Sequence, residues 1–316
     1  MSDIDDTRTR YERFATNEAP GRSEVYREWA AGVAADDEIL GILAQLPSPH
    51  RQPPVVFAVT RMLGSREGTY DEWAAFVRAN AERVVAECAA RSTQTNEPLR
   101  CAPLMLALGR VRGPIALIEI GASAGLCLFP DRYAYRYGDE VPLGSGAVEL
   151  ASELRGDIAG PSRIPEIVWR AGIDIQPRDA RDPQDRAWIS GLVWPGETER
   201  ARRIDAALDI AAADPPLLVT GDASAPGVLE GLVARAPEGA TIVITTPGVL
   251  PHIPREARER LIATIQELPA RWITIDNVGL HDAWDPAPED ERGFLLAIDG
   301  RPIAEVDPLG GWIAAL

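Results

Sequence analysis

Apolar residues recur at steps of three and four through the first third of the chain. In YDEWAAFVRANAERVVAECAA, which starts at Tyr70, the positions Tyr70, Trp73, Phe76, Val77, Val84, Val85 and Cys88 share one face, and this predicts a helix over 70–88. SEVYREWAAGVAA and DEILGILAQL carry the same period. PPVVFAVTRML, residues 53–63, opens on two prolines and reads as a helix or as a short strand. After the polar loop STQTNEP, Pro98 suits the first turn of a mostly buried helix over PLRCAPLMLALGRV. Residues 1–112 are therefore expected to form an all-α N-terminal cap or substrate domain.

The pattern changes at Gly113-Pro114. Short β-type runs then alternate with helical text: IALIEI (115–120), IVWRAGIDI (167–175), PLLVTGD (216–222), TIVITT (241–246) and RWITIDNV (271–278). DPQDRAWISGLVW, ETERARRIDAALDIAA, PGVLEGLVARA and PREARERLIATIQEL fill the gaps as helices. Such alternation predicts an α/β fold, a doubly wound, mostly parallel sheet covered on both faces, over 113–316. GFLLAID and PIAEVD, separated only by Gly300-Arg301, read as a C-terminal antiparallel hairpin. Between the first two strands lies an irregular stretch at about 128–165. Tyr133, Tyr135 and Tyr137 alternate there as in a strand and VELASEL can pair back, so an inserted hairpin is expected, serving as a lid or an oligomer surface. No internal repeat or low-complexity segment is visible.

Charge and composition narrow the chemistry. The net charge is −16, which repels phosphate backbones and argues against non-specific nucleic-acid binding and against docking on anionic lipid. No lysine occurs, and all 32 basic residues are Arg. That excludes a lysine Schiff base and a P-loop or kinase lysine. Cys88, Cys101 and Cys127 lie in apolar text without metal-ligand spacing, and no secretory segment precedes them. Buried, reduced thiols in a cytoplasmic protein are expected. With three histidines, His50, His252 and His281, no metal site is expected. No apolar run approaches the ~18 residues of a membrane span.

LIEIGASAGL, residues 117–126, admits two readings. Gly121-Ala-Ser123-Ala-Gly125 matches the G-x-S-x-G nucleophile elbow of a serine hydrolase, with Ser123, Asp222 and His252 in the right chain order. That elbow sits in mid-sheet after several strands, whereas this motif follows the first strand and helical text precedes it. The position suits a cofactor loop better. Ligands of doubly wound sheets bind beyond the carboxyl ends of the strands, beside the first strand's loop. Gly121 allows a sharp turn, and Ala122, Ser123 and Ala124 are small enough for close approach. Asp174 ends the second strand, where a carboxylate can accept both ribose hydroxyls, and Asp222 ends the third, within reach of an adenine amino group. Each of these acids is otherwise a helix cap or turn residue.

These residues resemble a class I S-adenosylmethionine-dependent methyltransferase core, whose five β/α steps and terminal hairpin match the strand count here. Thr93–Arg100 (TQTNEP…R) and Glu119–Gly138 (E-x-G-A-S-A-G-L…PDRY-x-Y-x-Y-G) resemble more closely a bacterial family of unknown function. The methyltransferase resemblance implies S-adenosylmethionine as cofactor. Glu119, Gly121, Ala122, Ser123 and Gly125 would then lie along its methionine part, Asp174 at the ribose, and Asp222 with Ala223 at the adenine. Two departures stand out. Ser123 replaces the usual middle glycine. Gly121 and Asp174 lie 53 residues apart, against roughly 20 in a Rossmann-type unit. If the tyrosine run is the second strand, Asp139 is the ribose acid instead.

Methyl transfer needs a general base only when the acceptor must lose a proton. Glu97, Asn96 and His252 are the candidates, and Arg100 is the candidate holder of a substrate carboxylate. The alternative is that Asn96 and Glu97 merely cap the helix at Pro98, with Arg100 paired to a surface acid. ITTPGVLPHI, after the fourth strand, would floor the site. Trp194, Trp272 and Trp284 are candidates for an aromatic acceptor pocket or for core packing. HDAWDPAPEDE (281–291), with His281 and Asp282, reads as an acidic loop near the active face. The expected function is methylation of a small molecule, with homodimer formation left open. A catalytically silent module that binds a ligand or partner is the alternative.

Overall fold

The computed structural model describes residues 3–286 and 293–316. Residues 287–291 of the acidic stretch 281–291 lie outside the described residues. The chain divides into two compact units: residues through Thr95 with Arg181–Asp205, and Asn96–Ala180 with Ala206–Leu316. The division falls at Thr95–Asn96 rather than at 112, because the helix Cys101–Leu108 is buried along its whole length and belongs with the sheet.

The elements from Asp3 to Ala89 are helical. Pro53–Met62 is a helix, with proline in its first turn where no N–H is missed. The single helix expected over 70–88 is two, Tyr70–Ala79 and Ala81–Ala89. Asn80 leaves helical geometry (φ −128°, ψ 23°) and its amide donates to the Phe76 carbonyl at 2.9 Å, a side-chain bond that competes with the helix. An aromatic core gathers around Phe57, whose ring centroid lies 4.8 Å from that of Tyr26 and 5.4 Å from those of Trp29 and Trp73. Each indole N–H finds an acceptor, Trp29 on the Gly68 carbonyl and Trp73 on the Thr60 hydroxyl, both at 2.9 Å. Trp194 belongs to this core. Its ring packs on Phe14, and the Arg22 guanidinium lies 3.7 Å over it.

The second unit is built on a ten-stranded, mostly parallel sheet. Its strands are β1 (Ile115–Ile120), β2 (Ala134–Tyr137), β3 (Glu149–Arg155), β4 (Ile167–Asp174), β5 (Leu217–Thr220), β6 (Thr241–Pro247), β7 (Arg271–Asn277), β8 (Phe294–Ile298), β9 (Arg301–Val306) and β10 (Trp312–Ala314). Their spatial order is β2-β3-β10-β9-β8-β7-β6-β1-β4-β5. β1 pairs in parallel with β4 on one side and β6 on the other. All six β1 residues are buried, as expected for an apolar strand covered on both faces. β8 and β9 form the expected antiparallel hairpin. Its turn is Asp299-Gly300, both with positive φ (52° and 77°), one residue earlier than the text suggested and matching the two-residue turn that suits strand twist.

The inserted hairpin is not formed. β2 and β3 run parallel, with Ala134 opposite Glu149, and β3 joins the main sheet through β10. The chain does turn back at first, as Tyr135 and Leu143 exchange both backbone hydrogen bonds at 2.8 Å, but it turns again before β3. The three tyrosines are buried, and each hydroxyl donates to a carbonyl: Tyr133 to Leu126, Tyr135 to Pro130 and Tyr137 to Ala102. Tyrosines anchored inward cannot form the outer surface of a lid. No α-helix follows β1 directly either; two short 3-10 turns, Leu126–Leu128 and Pro130–Arg132, take its place. Among the described residues no helix is long and apolar enough to cross a membrane.

Candidate functional site

The loop leaving β1 turns left-handed three times, at Gly121 (φ 74°), Ser123 (φ 48°) and Gly125 (φ 71°). Glycine is needed at the first: a β-carbon on Gly121 would lie 2.4 Å from a methyl of Val249, which follows β6. Ser123 adopts the same region with a side chain, at a cost that glycine would not incur. Beneath the loop, Gly172 of β4 makes room, because a β-carbon there would lie 2.4 Å from that of Ala122.

Every backbone N–H from Gly121 to Gly125 is engaged within the protein. Gly121 and Ala122 donate to the Ile173 carbonyl, and Gly125 to the Ala122 carbonyl. Ser123 donates to the Asp174 carboxylate at 2.8 Å, and Ala124 to the Asn96 side-chain oxygen at 3.1 Å. Phosphate-binding loops work by pointing such amides at the ligand, so this loop is not a phosphate cradle.

Asp174 thus clamps the loop, and its second oxygen accepts from the Gln176 N–H at 2.7 Å. It lies at the end of the strand beside β1, whereas Asp139 follows β2, at the opposite edge of the sheet. The acid next to the loop is therefore Asp174, in spite of the long sequence gap. Asp222 lies two residues beyond β5 and accepts from the Ser224 N–H and hydroxyl at 2.8 and 2.7 Å. Ala223 beside it is buried.

Asn96, Glu97 and Arg100 come to the same end of the sheet. Glu97 is 1% exposed, and its carboxylate accepts from the Leu99 N–H at 3.0 Å, which is the capping role. Arg100 donates to the carbonyls of Pro308 at 2.9 Å and Pro247 at 2.8 Å, binding the end of β6 to the C-terminal segment. Gly248 leaves space for this guanidinium: a β-carbon there would lie 3.1 Å from it. His252, in the turn after β6, reaches the surface. Its pKa is lowered by partial burial and then by the charge of Arg100. Burial pushes the Glu119 carboxyl well above its ordinary range, with the neighbouring Cys127 and Asp174 adding to the rise and Arg100 opposing it. Three buried polar atoms around the loop have no hydrogen-bond partner: the Asn96 amide nitrogen, one Glu119 oxygen and the Ser123 hydroxyl.

The hydrolase constellation is not assembled, because no base meets the Ser123 hydroxyl and Asp222 is turned to Ser224. His281 lies elsewhere, by Asp276 of β7 (3.5 Å) and between the rings of Trp272 and Trp284. Its Nδ1 accepts from the Ala283 N–H at 3.2 Å, so the neutral ring has no lone pair left for base chemistry. Trp272 donates at 2.9 Å to Thr246, which donates at 2.8 Å to Thr274, which in turn donates to Asp276. Trp272 and Trp284 are thus parts of this buried packing.

A family model described as an uncharacterized protein conserved in bacteria (DUF2332) matches residues 8–313. The chain belongs to that family. No curated protein and no solved structure matches it. In this DUF2332 chain the residues that sequence reasoning passed over are Gly172 and Asp276, whereas Gly248 and Val249 lie within the ITTPGVLPHI stretch expected to floor the site. A glycine inside a strand, as in AGID, was the one available signal, since it marks a close backbone approach. Among the described residues no group of three or more His, Cys, Asp or Glu is arranged to hold a metal ion.

Proposed function

We propose that this chain binds S-adenosylmethionine beyond the carboxyl ends of β1, β4 and β5 and transfers its methyl group to a small molecule. The parallel order β5-β4-β1-β6-β7 supports this reading, because ligands of doubly wound sheets bind beside the strand at which the order reverses, here β1. The observation that carries the reading is the loop itself. Its amides are all engaged, which disfavours a dinucleotide pyrophosphate or a nucleoside triphosphate, while unpartnered polar side chains and a strand-end acid remain beside it. A cofactor with a ribose and an amino-acid tail but no phosphate fits that set.

Asn96, Glu119 and Ser123 would hold the amino-acid end, Asp174 the ribose, and Asp222 with Ala223 the adenine. Asp174 retains a lone pair on each oxygen after its two amide bonds. Bound there, the cofactor supplies a methyl group activated by a sulfonium. The protein supplies orientation and a dry wall. His252, kept largely neutral by its lowered pKa, is the exposed group able to take a proton from an acceptor. The runner-up is a catalytically silent ligand-binding module, favoured by the buried capping role of Glu97, which removes one candidate base.

Calorimetric titration of the full chain with S-adenosylmethionine and S-adenosylhomocysteine tests the proposal. Binding of both, weakened in Asp222→Ala, is expected. No heat of binding at roughly millimolar ligand, an affinity near −4 kcal/mol, would defeat it. Binding without methyl transfer to any acceptor in a small-molecule panel would favour the silent module.

A further inference from the structure

The amino end of the sheet, opposite the β1 loop, carries a second group of charges. Arg271 opens β7, and Arg301 opens β9 directly opposite Ile298. Arg110 lies just before β1. These three arginines, with Asp285 and Asp299, line a cavity of about 480 Å³. Arg271 and Asp299 are paired with one another, and the other Asp299 oxygen accepts from the Trp272 N–H at 2.9 Å. The side chains of Arg110, Arg301 and Asp285 make no hydrogen bond or ion pair among the described residues. The cavity therefore presents two uncompensated cations against one uncompensated anion, in a chain whose net charge is −16. Arg163 adds a further positive charge to this end, its Nε donating to the Gly109 carbonyl at 3.2 Å.

A second cavity, of about 520 Å³, adjoins the first, and the two share Arg110 and Ile303. Its walls include Leu106, Ile158, Pro161, Ile303 and Leu316, and Asp157 is the one acidic side chain among its described lining residues. Together the two make a trough with a cationic end and an apolar arm, within the size range of small-molecule sites. Like-charged guanidinium groups facing one cavity repel, and an oxyanion between them removes that repulsion while accepting several N–H bonds.

We infer that this trough binds a small amphiphile with a single anionic head group, its carboxylate or phosphate head between Arg110 and Arg301 and its aliphatic body along the arm. Asp157 in the arm disfavours a second anionic end. The site is separate from the β1 crevice and does not depend on what binds there.

The test is calorimetry on the full chain with octanoate, octyl phosphate, octanedioate and inorganic phosphate. Octanoate or octyl phosphate is expected to bind, and whichever binds identifies the head group. Octanedioate and inorganic phosphate should bind more weakly, for want of a tolerated second end and of an apolar body respectively. Arg301→Ala and Arg110→Ala should each weaken binding at least about tenfold, the typical cost of losing a charged hydrogen bond. Both side chains are exposed, so unchanged melting curves should accompany the loss. Absence of binding by both octyl ligands, equal binding of octanedioate, or variants that bind like the wild type would overturn the inference.

Discussion

Gly172→Ala tests how the sheet supports the β1 loop. The new β-carbon would lie 2.4 Å from that of Ala122 and 3.0 Å from a Leu218 methyl, where carbon atoms ordinarily approach to about 3.5–4.0 Å. The Leu218 side chain can rotate, but the Ala122 β-carbon is fixed to the loop backbone, so the loop must lift by about 1 Å or more. Overpacking of this kind costs about 1–3 kcal/mol. Replacing glycine returns about 0.4–1 kcal/mol through the unfolded chain. The expected net loss is therefore on the order of 1 kcal/mol and at most about 2.6 kcal/mol. The lifted loop also strains the Ser123–Asp174 bond, so affinity for any ligand of the crevice should fall. Ala122→Gly in the same chain removes the colliding atom. The double variant should recover most of the stability lost by Gly172→Ala, giving a coupling of about 1–2 kcal/mol in a double-mutant cycle by urea denaturation. If Gly172→Ala is as stable as the wild type, or if Ala122→Gly fails to rescue it, the close approach of strand and loop is not what requires glycine.

Two further predictions concern the same loop. Glu119→Gln should change the pH dependence of stability. The native carboxyl holds its proton above the ordinary 4.5, so the wild type should lose stability relative to the variant as pH rises above that value, and the gap should close below it; a gap constant from pH 4 to 8 in thermal melts would count against the buried acid. Ser123→Gly should stabilise the protein slightly, by up to about 1.5 kcal/mol, since relief of the left-handed serine (about 1–2 kcal/mol) outweighs the entropy of glycine (about 0.5–1 kcal/mol). In the wild type Ser123 should resist a fluorophosphonate probe, and labelling at that residue would revive the nucleophile reading.

The periodicities of the chain largely specify its elements. IALIEI, TIVITT and RWITIDNV read as strands because residues covered on both faces must be apolar, and they are β1, β6 and β7. The terminal hairpin was legible for a local reason, a tight turn between two apolar runs. The acids at the ends of the second and third strands of the parallel set could also be found, because Asp174 ends its strand and Asp222 follows its own within two residues. Their partners could not. That Asp174 accepts the Ser123 N–H depends on two segments 51 residues apart, and no local pattern encodes such a bond. The Tyr133–Tyr137 run shows the same limit. Its alternation specifies a strand, but whether that strand folds back, runs parallel, or lies beside β1 is set by what its buried rings and hydroxyls meet.

Local pattern along the chain specifies a largely apolar parallel sheet, a small-residue loop after its first strand, and an acid at the end of the next strand of the parallel set. Which acid adjoins that loop, the bonding of every loop amide, and the convergence of distant arginines at the other end of the sheet are settled by the three-dimensional fold alone. The difference is one of range. Hydrophobic period and turn chemistry act over a few residues, whereas hydrogen-bond partners, steric contacts and charge clusters exist only once distant strands are side by side.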